Sequence, residues 1–194
     1  MGLIISHLKQ LPTLLEETTD QLTDSTKTTF MHLYEHFKNL SHEIGIYDRK
    51  INQHAQSDVL CQEITAIEGI GPMTASAIIA TIGDPRVFKN GREVSAWLGL
   101  VPKQHSSGNK IRLSGISKRG DRYVRKLLIH GARTVVRYCE KKTDKKSVWL
   151  ASKKRGSGYN KAAVALANKN ARIIWAMMAS GECYRPNYKL LKAA

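Results

Sequence analysis

The sequence has little with which to cross a membrane, build a disulfide framework or hold a structural metal. Its longest uncharged apolar-rich run, Gly69 to Gly83, covers 15 residues and is broken by Gly71 and Pro72. A spanning helix needs roughly 20 apolar residues, so no membrane partner is expected. The three cysteines, Cys61, Cys139 and Cys183, share no paired spacing, which argues against a disulfide scaffold and a zinc knuckle. No Lys or Arg precedes Lys9, so the start does not read as a secretory signal. Acidic side chains are also scarce: 31 Lys and Arg stand against 16 Asp and Glu, a formal charge of +15 over 194 residues. With 42% hydrophobic residues there is material for one core plus an appendage. The expectation is a soluble, cytoplasmic protein with a polyanionic partner, nucleic acid foremost.

The charge is unevenly placed. Residues 1–60 hold 5 basic and 8 acidic residues, whereas residues 61–194 hold 26 basic and 8 acidic. Residues 101–160 alone carry 17 basic residues against Asp121, Glu140 and Asp144, a net of +14. An acidic arm is joined to a basic body, and the two halves are expected to meet different partners.

In the arm, Phe30, Leu33, Phe37, Leu40, Ile44, Tyr47 and Ile51 recur in alternating steps of three and four. This heptad seam requires a partner helix. Leu8, Leu11, Leu15 and Leu22 keep the rhythm upstream, with Thr18 at the missing position. Pro12 belongs at the start of the first helix or at a kink. Thr23-Asp24-Ser25-Thr26 offers N-caps for the second. The seam closes either as a hairpin within the chain or by dimerisation, and the pattern alone does not choose. His32-Leu33-Tyr34-Glu35-His36 fits a zinc-binding spacing, but no third-ligand motif accompanies it, and a solvated helix face explains it better. Met1-Gly2…Ser6 fits a loose myristoylation pattern, better explained as a helix start. Asn39-Leu40-Ser41 fits a glycosylation triplet, but Leu40 is a seam position.

From residue 61 the texture changes. The stretch around Gly69-Ile70-Gly71-Pro72 reads as a short helix, a tight turn and a second helix opened by proline. Ala75, Ala77 and Ala80 would let the helices approach, with Ile64, Ile67, Ile78 and Ile79 in the core. Glycines beside a helix N-terminus expose backbone N–H groups suited to a phosphate oxygen. The pattern resembles a helix-hairpin-helix over residues 64–82, which grips the nucleic-acid backbone without reading bases. The alternative is an αα-corner whose glycines serve packing. Asp84 lies too close, in an Asp-Pro turn, to be the catalytic carboxylate of a glycosylase.

Beyond it, Asn90 can cap a helix from Gly91 to Leu98, with Val94, Trp97 and Leu98 inward and Gly99 ending it. Val101–His105 and Lys110–Leu113 flank Ser106-Ser107-Gly108-Asn109 as a hairpin or exposed loop. Ser117 or Asp121 caps a long basic helix to about Cys139. Val124, Leu127, Leu128 and Val135 form its buried side, and Arg119, Arg122, Arg125, Lys126, Arg133 and Arg137 supply its charge. Lys141, Lys142, Lys145, Lys146, Lys153, Lys154 and Arg155 then surround the apolar turn Val148-Trp149-Leu150. Gly156-Ser157-Gly158 is a hinge or cap, and a helix follows from Ala162 to Met178, with Ile173, Ile174, Trp175 and Met178 as core. Trp149 and Tyr159 either stack on unpaired bases or are buried.

The run EGIGPMTA through GDPRVFKNGREVSAWLGLVPKQHSSGNKIRLSGISKRGDRYVRKLLIHGAR closely resembles the C-terminal half of insertion-sequence transposases of the one-ten family (IS116/IS110/IS902-like), its eleven-eleven subgroup especially. The resemblance extends to about residue 181, and the arm resembles the coiled-coil connector of the same proteins. It implies DNA transposition guided by a structured RNA, with a RuvC-like nuclease domain whose acidic tetrad holds divalent metal. That tetrad has no counterpart in these residues, so the chain is expected to be a truncated or split transposase, inactive alone. Mg²⁺ is expected only with the nuclease domain, and no cofactor or metal ligand is assigned to this chain.

The resemblance also places a serine before a glycine in the exposed loop, which maps onto Ser107 with Ser106 as the alternative, as the nucleophile on a scissile phosphate. A serine hydroxyl needs a proton acceptor and cationic stabilisation of the phosphate to react. His105 is a candidate for the first; Lys110, Arg112, Lys118 and Arg119 are candidates for the second. The expected DNA contacts are Gly69, Ile70, Gly71, Lys110, Arg112, Lys118, Arg119, Arg122 and Arg125. The expected fold is mainly α: a helical coiled-coil arm (1–58), a compact helical DNA-binding domain with a helix-hairpin-helix and a short β-hairpin (59–181), and a tail (182–194). DNA, a structured guide RNA and a second copy through the arm are the expected partners. A non-catalytic helix-hairpin-helix module and a guide-RNA-binding accessory domain are the competing readings.

Overall fold

The computed structural model describes residues 8, 10–17, 22–107 and 110–185, with 105–107 and 110–113 described by their backbone alone. The Met1-Gly2…Ser6 pattern, Thr18 and the tail beyond Arg185 lie outside the described residues. The fold is mainly α, with eight helices and one two-stranded sheet among the described residues. The chain divides into two compact units, residues 1–50 and 51–194.

The first unit contains α1 (Leu11–Glu17) and most of α2 (Asp24–Ser57). Pro12 falls in the first turn of α1, where its missing N–H costs nothing. The Thr23 hydroxyl caps α2, accepting the Thr26 N–H at 3.4 Å. The seam is left open along α2: Leu33 is 58% exposed, Leu40 45% and Ile44 61%. His32, Glu35 and His36 are exposed on the same helix.

The second unit follows as α3 (Val59–Thr65), α4 (Pro72–Ile82), a 3-10 turn (Pro85–Val87), α5 (Gly91–Trp97), β1 (Pro102–Ser107), β2 (Lys110–Ile116), α6 (Arg122–Tyr138), a second 3-10 turn (Cys139–Lys141), α7 (Lys145–Ser157) and α8 (Tyr159–Ser180). Short polar side chains start four of these helices. Asp58 accepts from the Cys61 N–H at 2.7 Å, Asn90 from Arg92 and Glu93 at 2.9 and 3.2 Å, Asp121 from Val124 at 2.6 Å, and Asp144 from Ser147 at 3.1 Å. Each satisfies N–H groups that a helix start leaves unpaired. Of the two expected caps for α6, Asp121 is therefore the one used.

Helix α8 is the centre of this unit. Ala162, Ala163, Leu166, Ala167, Ala171 and Ile174 are buried on one face, and the small residues let α5, α6 and α7 pack against it. Helix α6 contributes Val124, Leu128, Ala132 and Val136 at four-residue spacing. The fully buried row of α6 thus runs through Val136, and Val135, expected on the buried side, is half-buried and packed against the core. Trp97 also departs from expectation. Helix α5 buries Gly91, Val94 and Ser95, with Leu98 beyond its end. Trp97 lies off that face, exposed, with its ring 5.3 Å from that of Phe88. Helix α8 begins three residues before the expected Ala162, immediately after Gly158.

Candidate nucleic-acid interface

The turn between α3 and α4 gives its residues distinct tasks. Gly69 has φ +87, and a Cβ there would lie 2.8 Å from the Gly131 carbonyl oxygen; a Cβ on Gly131 would lie 1.7 Å from the Gly69 oxygen. The two glycines let the turn and α6 touch backbone to backbone. Ile70 is buried. Gly71 has open space where a Cβ would be, and no side chain caps α4. Of the three residues expected to meet a phosphate, Gly69 and Ile70 also pack against the body, and Gly71 has open space beside it. The Glu68 carboxylate anchors the turn to Lys142, just after the second 3-10 turn, at 2.7 Å and to Lys146 of α7 at 2.5 Å. These ammonium groups, Lys142 foremost, hold its pKa below the ordinary glutamate value.

A second feature is the loop 117–121. Arg125, expected on the DNA side, is turned inward and only 8% exposed. Its Nη1 donates to the carbonyls of Leu98 and Arg119 at 3.0 Å, and to those of Gly120 and Asp121 at 3.4 and 3.3 Å. The guanidinium thus clamps the loop to the end of α5, where the helix carbonyls attract positive charge. The Lys118 N–H donates to the Gly99 oxygen at 3.2 Å. A Cβ on Gly120 would lie 1.8 Å from the Trp97 oxygen. The result is a pinned loop with Lys118, Arg119 and Arg122 exposed. Arg125 holds that loop in place.

The strands form an antiparallel ribbon with Ser107 opposite Lys110, Ser106 opposite Ile111, His105 opposite Arg112 and Gln104 opposite Leu113. Directly paired residues, and residues two apart on one strand, share a face. His105, Ser107, Lys110 and Arg112 therefore occupy one face of the ribbon, and Gln104, Ser106, Ile111 and Leu113 the other. A register irregularity between Pro102 and Gln104 ends the regular pairing at the ribbon base.

The basic stretch 141–155 is partly neutralised from within. Lys142 and Lys146 are held by Glu68, and Lys154 by Glu140 at 2.7 Å. Trp149 is half-buried, with the Lys169 ammonium 5.1 Å from its ring centroid. Tyr159 is half-buried and its hydroxyl donates to the Arg133 carbonyl at 2.6 Å. Sequence reasoning missed the cations of α8. Lys161, Lys169 and Arg172 line one cavity with Arg92 and Lys153. Their spacing along the helix was a signal, masked by the alanine-rich core face beside it.

Among the described residues, no three His, Cys, Asp or Glu side chains are placed to hold a metal ion. No helix among them is long and apolar enough to cross a membrane.

Comparison with known proteins agrees with the resemblance. Residues 61–147 match the family described as Transposase IS116/IS110/IS902 family. The chain is 52% identical over 154 residues to a "Probable family 20 transposase" of Pseudomonas aeruginosa, covering 79% of this chain and 46% of the relative. It is 45% identical over 177 residues to the "Transposase for insertion sequence element IS1111A" of Coxiella burnetii, covering 91% and 49%. A "Transposase for insertion sequence element IS1328" of Yersinia enterocolitica is 34% identical over 180 residues, covering 93% and 53%. The chain spans about half the length of the curated relatives it matches. By these matches the chain belongs to the IS116/IS110/IS902 transposase family.

Proposed function

We propose that this chain is the DNA-binding, serine-bearing part of a transposase that rearranges DNA. The observation that carries the reading is the ribbon register. It sets Ser107 on one face with His105, Lys110 and Arg112, and sets Ser106 on the other. A nucleophilic serine needs cationic positions beside it to stabilise charge on an attacked phosphate, and a group that accepts its proton. Of Ser106 and Ser107, only Ser107 shares its ribbon face with both kinds of residue. In this reading Lys118, Arg119 and Arg122 hold phosphates next to the ribbon, and Gly71 with the uncapped start of α4 offers backbone N–H groups to another. A structured guide RNA and a second copy joined through the open seam of α2 complete the assembly, in the cytoplasm.

The experiment is capture of a covalent protein–DNA adduct on element-end DNA. The nuclease domain that the resemblance implies, a guide RNA and magnesium are supplied in trans. The adduct is expected with the wild type and with Ser106→Ala, and lost with Ser107→Ala. Without the nuclease domain, supercoiled DNA is expected to be bound and left unnicked. An adduct that persists in Ser107→Ala removes the serine from its role. Nicking by the chain alone that disappears in that variant shows a self-sufficient site.

A further inference from the structure

Beside α8 the structure opens a groove of about 1460 Å³, larger than the roughly 300–1,000 Å³ of a site for one small molecule. Trp149, Val164 and Ile173 give it an apolar lining. Arg92, Lys153, Lys161, Lys169 and Arg172 add five cations, and no Asp or Glu lines it. Among the described residues none of the five is paired with a carboxylate. Pro102, Ser114 and Ile116 line it too, so the groove is continuous with the base of the ribbon.

The two halves of this composition select the occupant together. Unpaired cations attract a polyanion, and their strength of attraction falls with salt. A duplex presents only sugar and phosphate to such a surface and leaves an apolar lining unused. An unpaired strand offers both chemistries, with phosphates for the cations and exposed base faces for the indole and aliphatic groups.

We infer that this groove binds an unpaired DNA strand, with bases against Trp149 and the aliphatic lining, and phosphates on Lys161, Lys169 and Arg172. Continuity with the ribbon makes it the strand that leads to Ser107. The identity of the strand as DNA rests on the function proposed above; the single-stranded character rests on the groove.

Anisotropy of labelled oligo-dT, oligo-rU and a DNA duplex of equal length, each with the full chain, tests it. Lys161→Glu with Lys169→Glu changes two exposed side chains, and circular dichroism checks that the fold survives. The pair is expected to weaken oligo-dT binding at least about tenfold and duplex binding by less than about twofold. Lys161→Gln with Lys169→Gln is expected to give a smaller loss in the same direction. Trp149→Phe is expected to reduce the quenching of intrinsic fluorescence by oligo-dT. Lys118→Glu with Arg122→Glu is expected to show the opposite selectivity, losing the duplex and keeping oligo-dT. Unchanged oligo-dT affinity in the groove variants, or equal losses on both DNA probes, overturns the inference. Tighter binding of oligo-rU than of oligo-dT overturns the assignment to DNA. Duplex binding without oligo-dT binding overturns the groove's role alone; failure of both DNA probes overturns the proposed DNA reading with it.

Discussion

Arg125 shows how much a single residue's meaning depends on its surroundings. In the sequence it is one of a row of basic side chains; in the structure it is turned inward onto four backbone carbonyls, while Lys118, Arg119 and Arg122 stay exposed. Arg125→Ala is expected to lower stability by about 3 kcal/mol, because buried carbonyls lose a charged donor. Chemical denaturation of the variant measures this, and Arg119→Ala serves as the comparison, with little expected change for an exposed side chain. Glu68 makes a similar point with opposite charge. Its pKa is lowered by Lys142 and Lys146, so its carboxylate form is favoured in the folded state. The stabilisation is present above the unfolded pKa, roughly 4.3, and is lost as pH falls through the folded one. Glu68→Gln is therefore expected to melt lower than the wild type at neutral pH, with the gap closing below about pH 4. Melting curves across that range decide it, and a gap that persists in acid would falsify the ion-pair account.

At the scale of elements, periodicity was legible and exact facing was less so. The heptad rhythm of α2, the caps Asn90 and Asp121, and the two-stranded ribbon all follow from residue spacing and short polar side chains. Trp97 is large and apolar, which predicts an inward position, but the neighbours of α5 select the face of Val94 and Leu98. A helix offers several apolar positions, and packing partners from distant sequence choose among them. The proposed pairing of two copies rests on the exposed seam of α2. Leu40→Asp is expected to convert a dimer into a monomer in sedimentation, since it places an unpaired charge in the seam. A wild type that is monomeric at high concentration overturns the pairing. The ribbon adds what residue spacing could not: its register separates Ser106 from Ser107 by face.

At the scale of the whole molecule, charge is the property that the amino-acid sequence itself determines, since it is a sum over residues and requires no fold. The net of +14 in residues 101–160 motivates a strongly salt-dependent affinity for DNA. With roughly six phosphate contacts, binding is expected to weaken about a thousandfold between about 50 and 200 mM salt. Titrations at several salt concentrations measure the slope, and salt-independent binding would contradict a phosphate-dominated contact. The sequence also determined the mainly α character, the helix start at Asn90 and the family, because these depend on local spacing and on strings of matched residues. Which cations are free was decided only by tertiary structure. Glu68 reaches Lys142 across 74 positions and Glu140 reaches Lys154 across 14, while Lys161, Lys169 and Arg172 of α8 are paired with no carboxylate among the described residues. The Gly69–Gly131 contact and the groove beside α8 were decided in the same way. Each depends on distances between segments far apart in the chain, which local residue patterns do not encode.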